Sequence, residues 1–327
     1  MKNISILVPE SAVMEAVADP RYLFTAVNQF LQAAGKKPLF EVQLVGQSKE
    51  VSFLGGVYSV RADKTLNEVT KTDMIIIPAL FGDLQLAVEQ NREAIPWIIE
   101  HYNKGAEVAS LCLGAFLLAS TGLLDGKKCS THWAFYNQFR ETFPEVEVVD
   151  GGIITEENGI YSSGGANSYW NLLLYLVEKY VDRDTAILAA KYFAIDIDRE
   201  SQAAFTIFSG QKDHNDEDVK KGQEYIEKNY QEKIAIDDLV SILGVSRRSF
   251  ERRFKKATNN TIAEYMQRVK VEAAKRDFEL SRKNINEVMY DVGYSDSKAF
   301  RNLFKRLTGL TPVEYRNKYN KEVELPV

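Results

Sequence analysis

An internal repeat near the carboxyl end constrains this 327-residue chain more than any other feature of its sequence. FERRFKKATNNTIAEY (residues 250–265) aligns with FRNLFKRLTGLTPVEY (residues 300–315) at a constant offset of 50 residues. The identical positions are Phe250/Phe300, Phe254/Phe304, Lys255/Lys305, Thr258/Thr308, Thr261/Thr311, Glu264/Glu314 and Tyr265/Tyr315. Repetition at a fixed period marks one supersecondary unit that is used more than once. The sequence therefore predicts two copies of a single structural motif.

Upstream of the identical stretch, each copy predicts a short helix that is followed by a glycine. These helices are predicted at residues 236–243 and 285–292, where apolar residues fall on one side. Gly244 and Gly293 come next, and glycine favours the positive φ with which many helices end. Candidate caps for the next helix are Ser246 in the first copy and Ser295 or Ser297 in the second. Helix, glycine turn and helix is the arrangement of a helix-turn-helix motif.

The second helix of each copy has an apolar face and a basic face. Pairs of phenylalanines four residues apart, Phe250/Phe254 and Phe300/Phe304, are predicted to face the core. The opposite face carries Arg247, Arg248, Arg252 and Lys255 in the first copy, and Ser297, Lys298, Arg301, Asn302 and Lys305 in the second. In a helix-turn-helix protein the second helix enters the major groove of DNA. A helical bundle with a charged surface is the alternative, but it gives no reason for turn, cap and core to recur at one offset.

The charge distribution points to nucleic acid at the same end of the chain. The whole chain has a net charge of −5, which alone argues against a nucleic-acid partner. Residues 1–212, however, hold 18 Lys and Arg against 26 Asp and Glu, whereas residues 242–318 hold 18 against 9. An acidic body with a basic end predicts that the basic end is the part that meets a polyanion.

The chain divides into two predicted domains. In residues 1–210 strand-like and helix-like segments alternate, which predicts an α/β domain with a mostly parallel sheet and helices on both faces. Predicted strands lie at 4–8, 40–45, 73–78 and 108–111, and predicted helices at 22–34, 95–102 and 115–120. QKDHNDEDVKK (residues 211–221) has Val219 as its one apolar residue and is the predicted linker. Residues 222–320 predict an all-α domain with two helix-turn-helix motifs.

The second domain resembles the AraC/XylS family of transcription regulators. The resemblance covers residues 222–319, including a connecting helix predicted at 262–279 and the ending DVGYSDSKAFRNLFKRLTGLTPVEYR. It implies that one chain presents two recognition helices to successive major grooves of double-stranded DNA. The implied base-reading residues are Arg248 and Arg252 in the first helix, with Ser297, Lys298, Arg301 and Asn302 in the second. The implied phosphate contacts are Lys255, Lys256 and Lys305.

In the first domain, a cysteine and a histidine lie where chemistry is expected. Cys112 follows an apolar strand and precedes an apolar helix, with Gly114 just after it. A thiol at a helix amino terminus is expected to have a lowered pKa, and exposed N–H groups there can hold an anion. His132 follows twenty residues later. Two alternatives stay open, Cys112 as a small buried hydrophobe and His132 as a hydrogen-bonded core residue. Cys129 is predicted to be inert within a strand.

This segment resembles the ThiJ/PfpI superfamily, whose flavodoxin-like domain carries a cysteine on such a turn and a histidine downstream. The resemblance covers residues 3–180 and implies that Glu15, in VMEAV, joins the site. The whole chain resembles the GlxA-like group of regulators, in which this domain precedes an AraC-type domain. The stretches that carry this resemblance are GLLDGKKCSTHW, SSGGANSYWNLLL and DRESQAAF. The predicted ligand-binding residues are Glu15, Cys112, Leu113, His132, Ser163 and Gly164.

One departure from the superfamily's enzymes favours binding over catalysis. PALFGD (residues 78–83) has Ala79 and Leu80 where those enzymes have a Gly-Gly that helps to form an oxyanion hole. We therefore expect a ligand sensor without catalytic residues, in which Cys112, His132 and Glu15 are vestigial candidates. A cysteine-dependent amidase or glyoxalase-like enzyme is the alternative.

The remaining expectations concern partners and location. Neither zinc-ligand spacing nor a glycine-rich phosphate-binding motif occurs, so no metal and no cofactor are expected. The amino terminus has no signal-peptide pattern and the two cysteines fit a reducing compartment, so we expect a cytoplasmic protein without a membrane partner. Family resemblance implies a homodimer through the first domain and a small-molecule effector of unknown identity.

Overall fold

Parallel β-strands form the centre of the first part of the chain in this computed structural model, which describes residues 1–197, 201–212 and 214–320. The strands are β1 (Lys2–Leu7), β2 (Phe40–Gly46), β3 (Glu50–Phe53), β4 (Tyr58–Arg61), β5 (Lys64–Thr65), β6 (Met74–Ile77), β7 (Glu107–Ser110), β8 (Lys128–Cys129), β9 (Glu147–Val148), β10 (Ile154–Glu157) and β11 (Ile160–Ser163). Within the described residues, seven of them form one sheet in the order β10-β11-β7-β6-β1-β2-β5. Neighbours in this sheet pair in parallel except β10, which is antiparallel to β11.

Burial explains why these strands are parallel. All four residues of β6, MIII, are buried, and so are the last three residues of β7. A strand that is covered on both faces needs helices on both faces, which parallel crossover connections supply. The order β2-β1-β6-β7-β11 is the flavodoxin-like order of doubly wound sheets. The predicted α/β class is confirmed, and the four predicted strands correspond to β1, β2, β6 and β7.

Helices account for most of the remaining described residues. They are α1 (Met14–Ala33), α2 (Leu84–Gln90), α3 (Ala94–Asn103), α4 (Ala115–Ala119), α5 (Tyr136–Thr142), α6 (Tyr169–Tyr180), α7 (Arg183–Tyr192), α8 (Glu217–Lys228), α9 (Ile236–Leu243), α10 (Arg247–Thr258), α11 (Ile262–Leu280), α12 (Ile285–Asp291), α13 (Ser297–Thr308) and α14 (Pro312–Tyr319). α1 starts before its predicted first residue, 22, and contains Pro20, which is buried. Proline lacks the N–H of a helix interior, so local pattern alone predicts a later start. None of the described helices is both long and apolar enough to cross a membrane.

The chain divides into two compact units after Gln202, earlier than the predicted domain boundary at residue 210. The first unit is Met1–Gln202, and the second unit begins at Ala203. Residues 203–210 belong to the second unit because its helices hold them. Lys275 Nζ donates to the Thr206 carbonyl at 2.5 Å, and the rings of Phe208 and Tyr265 lie 5.1 Å apart.

The predicted linker, residues 211–221, is wrong in its second half. α8 begins at Glu217, and the Asp216 side chain caps it by accepting the N–H of Val219 at 3.2 Å. Arg253 pairs with Asp216 at 2.5 Å and with Asp218 at 2.9 Å, while Val219 is fully buried. The polar residues of this stretch therefore form a helix cap and ion pairs, which sequence composition does not distinguish from a flexible connection.

The second unit contains the two predicted helix-turn-helix copies. α9 and α10 form the first copy, α12 and α13 form the second, and α11 connects them. The phenylalanines four residues apart are fully buried, as predicted, in two separate hydrophobic clusters. Phe250 and Phe254 lie in one cluster, Phe300 and Phe304 in the other.

The two glycine turns share a backbone conformation but differ in their surroundings. Gly244 has φ +65° and Gly293 has φ +75°, which confirms the predicted positive φ at both helix ends. A Cβ on Gly293 would lie 2.2 Å from the carbonyl oxygen of Gln231, whereas nothing lies within 4 Å of the same position on Gly244. The second turn therefore packs against another part of the unit and the first does not.

The serines predicted to cap the second helices do not do so. Ser246 precedes α10 but its side chain makes no capping hydrogen bond. Asp296 caps α13 instead, because its carboxylate accepts the N–H groups of Lys298 and Ala299. A carboxylate at this position also interacts favourably with the positive end of the helix dipole.

The packing of the second unit predicts that two residues of α10 contribute very differently to stability. We expect Phe254→Ala to lower the free energy of unfolding by about 3–5 kcal/mol, because the ring is fully buried. Arg252→Ala, on the exposed face of the same helix, should change it by less than about 0.5 kcal/mol. Urea unfolding of residues 203–327 expressed alone, followed by circular dichroism, measures both. Equal losses for the two variants would contradict the assigned core face.

Candidate functional site

Two helices of the second unit present unpaired polar side chains on their outer faces. On α10 these are Arg248 and Arg252, and on α13 they are Lys298, Arg301 and Asn302, all exposed. Within the part of the chain that the structure describes, none of these five side chains forms a hydrogen bond or an ion pair. They are free to contact a partner from solvent, as predicted base-reading residues must be.

Arg247 lies at the start of the same face but is already paired. Its guanidinium donates to both carboxylate oxygens of Asp237, at 3.0 and 3.1 Å, and to Glu251 at 3.0 Å. Glu251, followed by Asp237, raises the pKa of this guanidinium. A base contact by Arg247 would have to replace or share these bonds. Arg247 is therefore a weaker candidate for base recognition than Arg248.

The other predicted DNA contacts lie along the same two helices. Lys255, Lys256 and Lys305 are exposed in the carboxyl-terminal parts of α10 and α13. Lys255 Nζ donates to the Asn259 carbonyl at 2.9 Å, at the end of its own helix. Ser297 is half-buried and is the first residue of α13. The phosphate contacts of the three lysines and the base contact of Ser297 stay predictions.

Arg253 is a cation of α10 that faces away from this surface. It is held by Asp216 and Asp218, and its partner Asp216 has a lowered pKa, mainly because of the bond from Arg253. The internal repeat carries a signal for this role. At the offset of 50, Arg253 corresponds to Leu303, which is buried, so an inward-facing arginine could have been predicted.

In the first unit, Cys112 lies on a tight turn between β7 and α4, as predicted. Its φ is +51°, in the left-handed region that residues other than glycine seldom adopt. Two hydroxyl groups hold this backbone. The N–H of Cys112 donates to Ser163 Oγ at 3.1 Å, and Thr131 Oγ1 donates to the Cys112 carbonyl at 3.1 Å. Strained backbone of this kind persists where the surroundings fix it. The structure thus brings the predicted residues Cys112 and Ser163 together.

The expected lowering of the Cys112 pKa is wrong. Burial raises the pKa of this thiol to about 12, although the N–H of Leu113, which donates to the sulfur, acts in the opposite direction. Burial also raises the pKa of Cys129 to about 12. The N–H groups of the turn are engaged as well, because that of Gly114 donates to the Leu111 carbonyl at 2.8 Å. At neutral pH the turn therefore holds a neutral thiol with little capacity for an anion.

His132 is half-buried and is arranged as a hydrogen-bond donor. Its Nδ1 accepts the N–H of Ala134 at 3.1 Å. A neutral imidazole whose Nδ1 accepts carries its hydrogen on Nε2. Burial lowers the pKa of His132, which keeps the ring neutral at physiological pH. His132 is thus better suited to donate a hydrogen bond to a ligand than to remove a proton from Cys112.

The helix that carries Glu15 is contacted by Tyr169, a residue that the sequence analysis missed. Glu15 is exposed in the first turn of α1, and Asp19 follows one turn later. The hydroxyl of Tyr169 donates to Asp19 at 2.6 Å. Burial raises the pKa of Tyr169, and Asp19, Glu15 and Cys112 each raise it further. Tyr169 thus contacts α1 one turn after the predicted residue Glu15.

Ala79 and Leu80 form part of the core beside the turn. Both side chains are buried, and their segment pairs with residues 11–13. The N–H of Val13 donates to the Ala79 carbonyl at 2.8 Å. The segment that supplies an oxyanion hole in the superfamily's enzymes is here a packed, side-chain-bearing contact.

Gln202 is a further residue of the site that the sequence analysis missed. Its buried carboxamide lies against Gly164 and Gly165, so closely that a Cβ on Gly164 would lie 2.3 Å from its Nε2. His132 borders the same place, since its Cδ2 would lie 3.7 Å from a Cβ on Gly165. Gln202 belongs to the DRESQAAF stretch, of which residues 198–200 lie outside the described residues. That stretch was the available signal, but its spacing does not place the glutamine in a pocket.

Each of the two units contains a segment that matches a known protein family. Residues 23–179 match the DJ-1/PfpI family, and residues 239–318 match a helix-turn-helix domain. The two matches lie one in each compact unit. A solved structure of a ThiJ/PfpI family protein from Pseudomonas syringae has 16% sequence identity and a TM-score of 0.50, and it covers 62% of this chain and 78% of that one. It supports the fold of the first unit alone.

Two relatives that match more than half of this chain are regulators of transcription by name. The HTH-type transcriptional regulator GbdR of Pseudomonas aeruginosa is 23% identical over 258 residues, 79% of this chain and 69% of that protein. The HTH-type transcriptional regulator GlxA of Rhizobium meliloti is 24% identical over 221 residues, 65% of this chain and 66% of that protein. An enzyme also matches: isonitrile hydratase of Pseudomonas putida is 27% identical over 124 residues, 38% of this chain and 52% of that protein.

The burial of both cysteines predicts slow alkylation in the native state. At pH 8 we expect Cys112 and Cys129 to react with iodoacetamide far more slowly than the same thiols in guanidinium, because the thiolate is the nucleophile and burial raises both pKa values to about 12. Mass spectrometry of peptides after timed labelling measures each site separately. Native labelling of Cys112 at the rate of the unfolded protein would contradict the buried thiol.

Proposed function

We propose that this chain is a transcription regulator that binds specific DNA sequences and responds to a small molecule. One of its units matches the DJ-1/PfpI family and the other matches a helix-turn-helix domain, the combination predicted as GlxA-like. DNA is bound by the second unit, and the small molecule by the first. The homodimer and the cytoplasmic location expected from the family resemblance belong to this proposal.

The observation that carries the DNA-binding part is the unpaired outer face of α10 and of α13. The other arginines of α10, Arg247 and Arg253, form ion pairs within the unit, whereas Arg248 and Arg252 do not. A guanidinium can pair with O6 and N7 of guanine, and Asn302 can pair with N6 and N7 of adenine. The lysines farther along each helix add contacts to phosphates, which position the protein without reading sequence.

The arrangement around Cys112 favours sensing over turnover. A nucleophile at neutral pH needs a thiolate, whereas burial keeps this thiol protonated. A general base needs a free lone pair facing the thiol, whereas Nδ1 of His132 accepts the backbone N–H of Ala134. Donors that could stabilise an oxyanion are engaged within the turn. A cysteine-dependent amidase-like enzyme, the second candidate, keeps support from the similarity to isonitrile hydratase.

Loss of either unpaired arginine of α10 should lower both the affinity for DNA and the sequence specificity. We expect Arg248→Ala and Arg252→Ala each to cost about 1–3 kcal/mol of binding free energy on a site selected from randomised DNA, and to relax the preference at one base pair. Lys221→Ala, an exposed lysine on α8, removes the same charge and is the matched control. Gel-shift titrations at several salt concentrations measure affinity and counterion release. Equal effects of all three variants would show that α10 does not contact the bases.

Cys112→Ser separates the sensor from the enzyme. If the first unit only binds its ligand, the DNA affinity of Cys112→Ser should stay within about twofold of wild type. Neither protein should then turn over amides, isonitriles or dicarbonyl compounds. Gel shifts and a spectrophotometric turnover assay on the same preparations provide the two readouts. Turnover by wild type that disappears in Cys112→Ser would establish the enzyme instead.

A further inference from the structure

The side chain of Gln202 occupies a closed polar pocket in the first unit. Gln202 is only 1% exposed. Its Oε1 accepts the N–H of Gly165 at 2.8 Å. Its Nε2 lies within hydrogen-bond distance of three oxygens. They are the Tyr136 hydroxyl at 2.8 Å, the Gly152 carbonyl at 2.9 Å and the Thr131 carbonyl at 3.0 Å. Every polar atom of the carboxamide therefore has a partner on the wall of the pocket.

The chemistry of the wall distinguishes the two ends of this group. One side offers the N–H of Gly165, which pairs only with an oxygen. The other side offers two carbonyl oxygens, which pair only with a donor, and the Tyr136 hydroxyl, which accepts the N–H of Gly151. An amide nitrogen has two hydrogens, so three surrounding oxygens are one more acceptor than it can use at a time. A carboxylate in the same place would put an oxygen against the carbonyl oxygens of Thr131 and Gly152, neither of which can donate to it. The pocket is thus selective for a primary carboxamide over the acid of the same shape.

The wall is also shaped around this planar group. A Cβ on Gly164 would lie 2.3 Å from Nε2 of Gln202, and one on Gly165 would lie 2.9 Å from Oε1. Only glycine lets the backbone approach so closely. Ser130 adds a second observation, because its hydroxyl is fully buried and has no hydrogen-bond partner among the described residues. That hydroxyl lies 2.8 Å from where a Cβ on Gly152 would be, beside the same wall.

Gln202 reaches the pocket from the last residues of the first unit. Ser201 forms a β-bridge with Gly152, and the N–H of Gln202 donates to the Gly151 carbonyl at 3.0 Å. Ala203, the next residue, begins the second unit. The group in the pocket is therefore carried by the segment that leads directly to the DNA-binding helices.

We propose that this pocket is a receptor for a primary carboxamide, and that Gln202 is its built-in, displaceable occupant. An effector that carries a carboxamide competes with Gln202, and its binding releases residues 201–202 from the wall. The proposal rests on the ligand-sensing function proposed above and adds the chemical class that is sensed. It places recognition at Thr131, Gly152 and Gly165, next to His132, and requires no reaction of Cys112.

Acetamide tests the receptor directly. Gln202→Ala in the full chain removes the CH2–CONH2 group, and acetamide has the size and polarity to refill the space. With 100 mM acetamide we expect the melting temperature of Gln202→Ala to rise by about 3 °C more than that of wild type, as for a ligand with a dissociation constant of about 10 mM. Gln202→Met fills the pocket without hydrogen bonds and should show no excess response. Sodium acetate at the same concentration should give none with any variant.

The outcomes separate clearly. If Gln202→Ala responds to acetamide no more than wild type and Gln202→Met do, or responds equally to acetate, the pocket is not a carboxamide receptor. DNA binding is measured independently on the Arg248 and Lys221 variants, so a negative result here leaves the regulator intact. A failure of DNA binding, conversely, leaves the acetamide result standing.

A second variant covers the case in which Gln202→Ala does not fold. Gln202→Glu keeps the shape but places a carboxyl group against three oxygens, which should raise the pKa of that carboxyl in the folded state. Stability is then retained near and below about pH 4.3, the ordinary value for glutamate, and lost as pH rises above it. Relative to wild type at each pH, which cancels the titration of His132 and Tyr136, we expect a lower melting temperature at pH 8 than at pH 5. An equal difference from wild type at both pH values would overturn the proposal.

Discussion

One aromatic contact, made twice, organises the DNA-binding unit from the inside. In the first copy the rings of Phe254 and Tyr265 meet edge to face, with centroids 5.3 Å apart. In the second copy Phe304 and Tyr315 repeat the contact at 5.4 Å. Each pair joins a recognition helix to the helix that follows it, since the tyrosines lie in α11 and α14. The direction in which the exposed cations point is therefore set by rings that are closed to solvent.

Features that repeat or alternate in the sequence could be predicted, because each rests on neighbours along the chain. The connecting helix, predicted at 262–279, is Ile262–Leu280, and the four predicted strands are present. Features that depend on distant residues could not. Pro20 lies buried inside α1, although the local pattern predicts a later start of this helix. Residues 211–221 predict a linker by composition, because Arg253, the partner of Asp216, lies far along the chain.

In the candidate site of the first unit, the position of Cys112 could be predicted from the sequence but its pKa could not. The turn at Cys112 follows from the strand, the glycine and the helix around it. Its pKa does not, because two effects oppose each other there. A helix dipole contributes about 0.3–1 kcal/mol, which is less than one pKa unit, whereas complete burial shifts a pKa by up to about 3–5 units. Segments distant in the sequence bury Cys112 and bring Gln202 beside Gly164 and Gly165. A single sequence does not place those segments.

The unequal surroundings of Gly244 and Gly293 bear on how the two halves of the repeat can diverge. The first turn is open, so Asn, which also tolerates positive φ, could replace Gly244 at a modest conformational cost. The second turn abuts the Gln231 carbonyl, so any side chain there would force two segments apart. Drift among descendants of this chain should accordingly accumulate at the first turn while the second stays glycine. Packing and backbone conformation thus both restrict substitution at the second turn, whereas backbone conformation alone restricts it at the first.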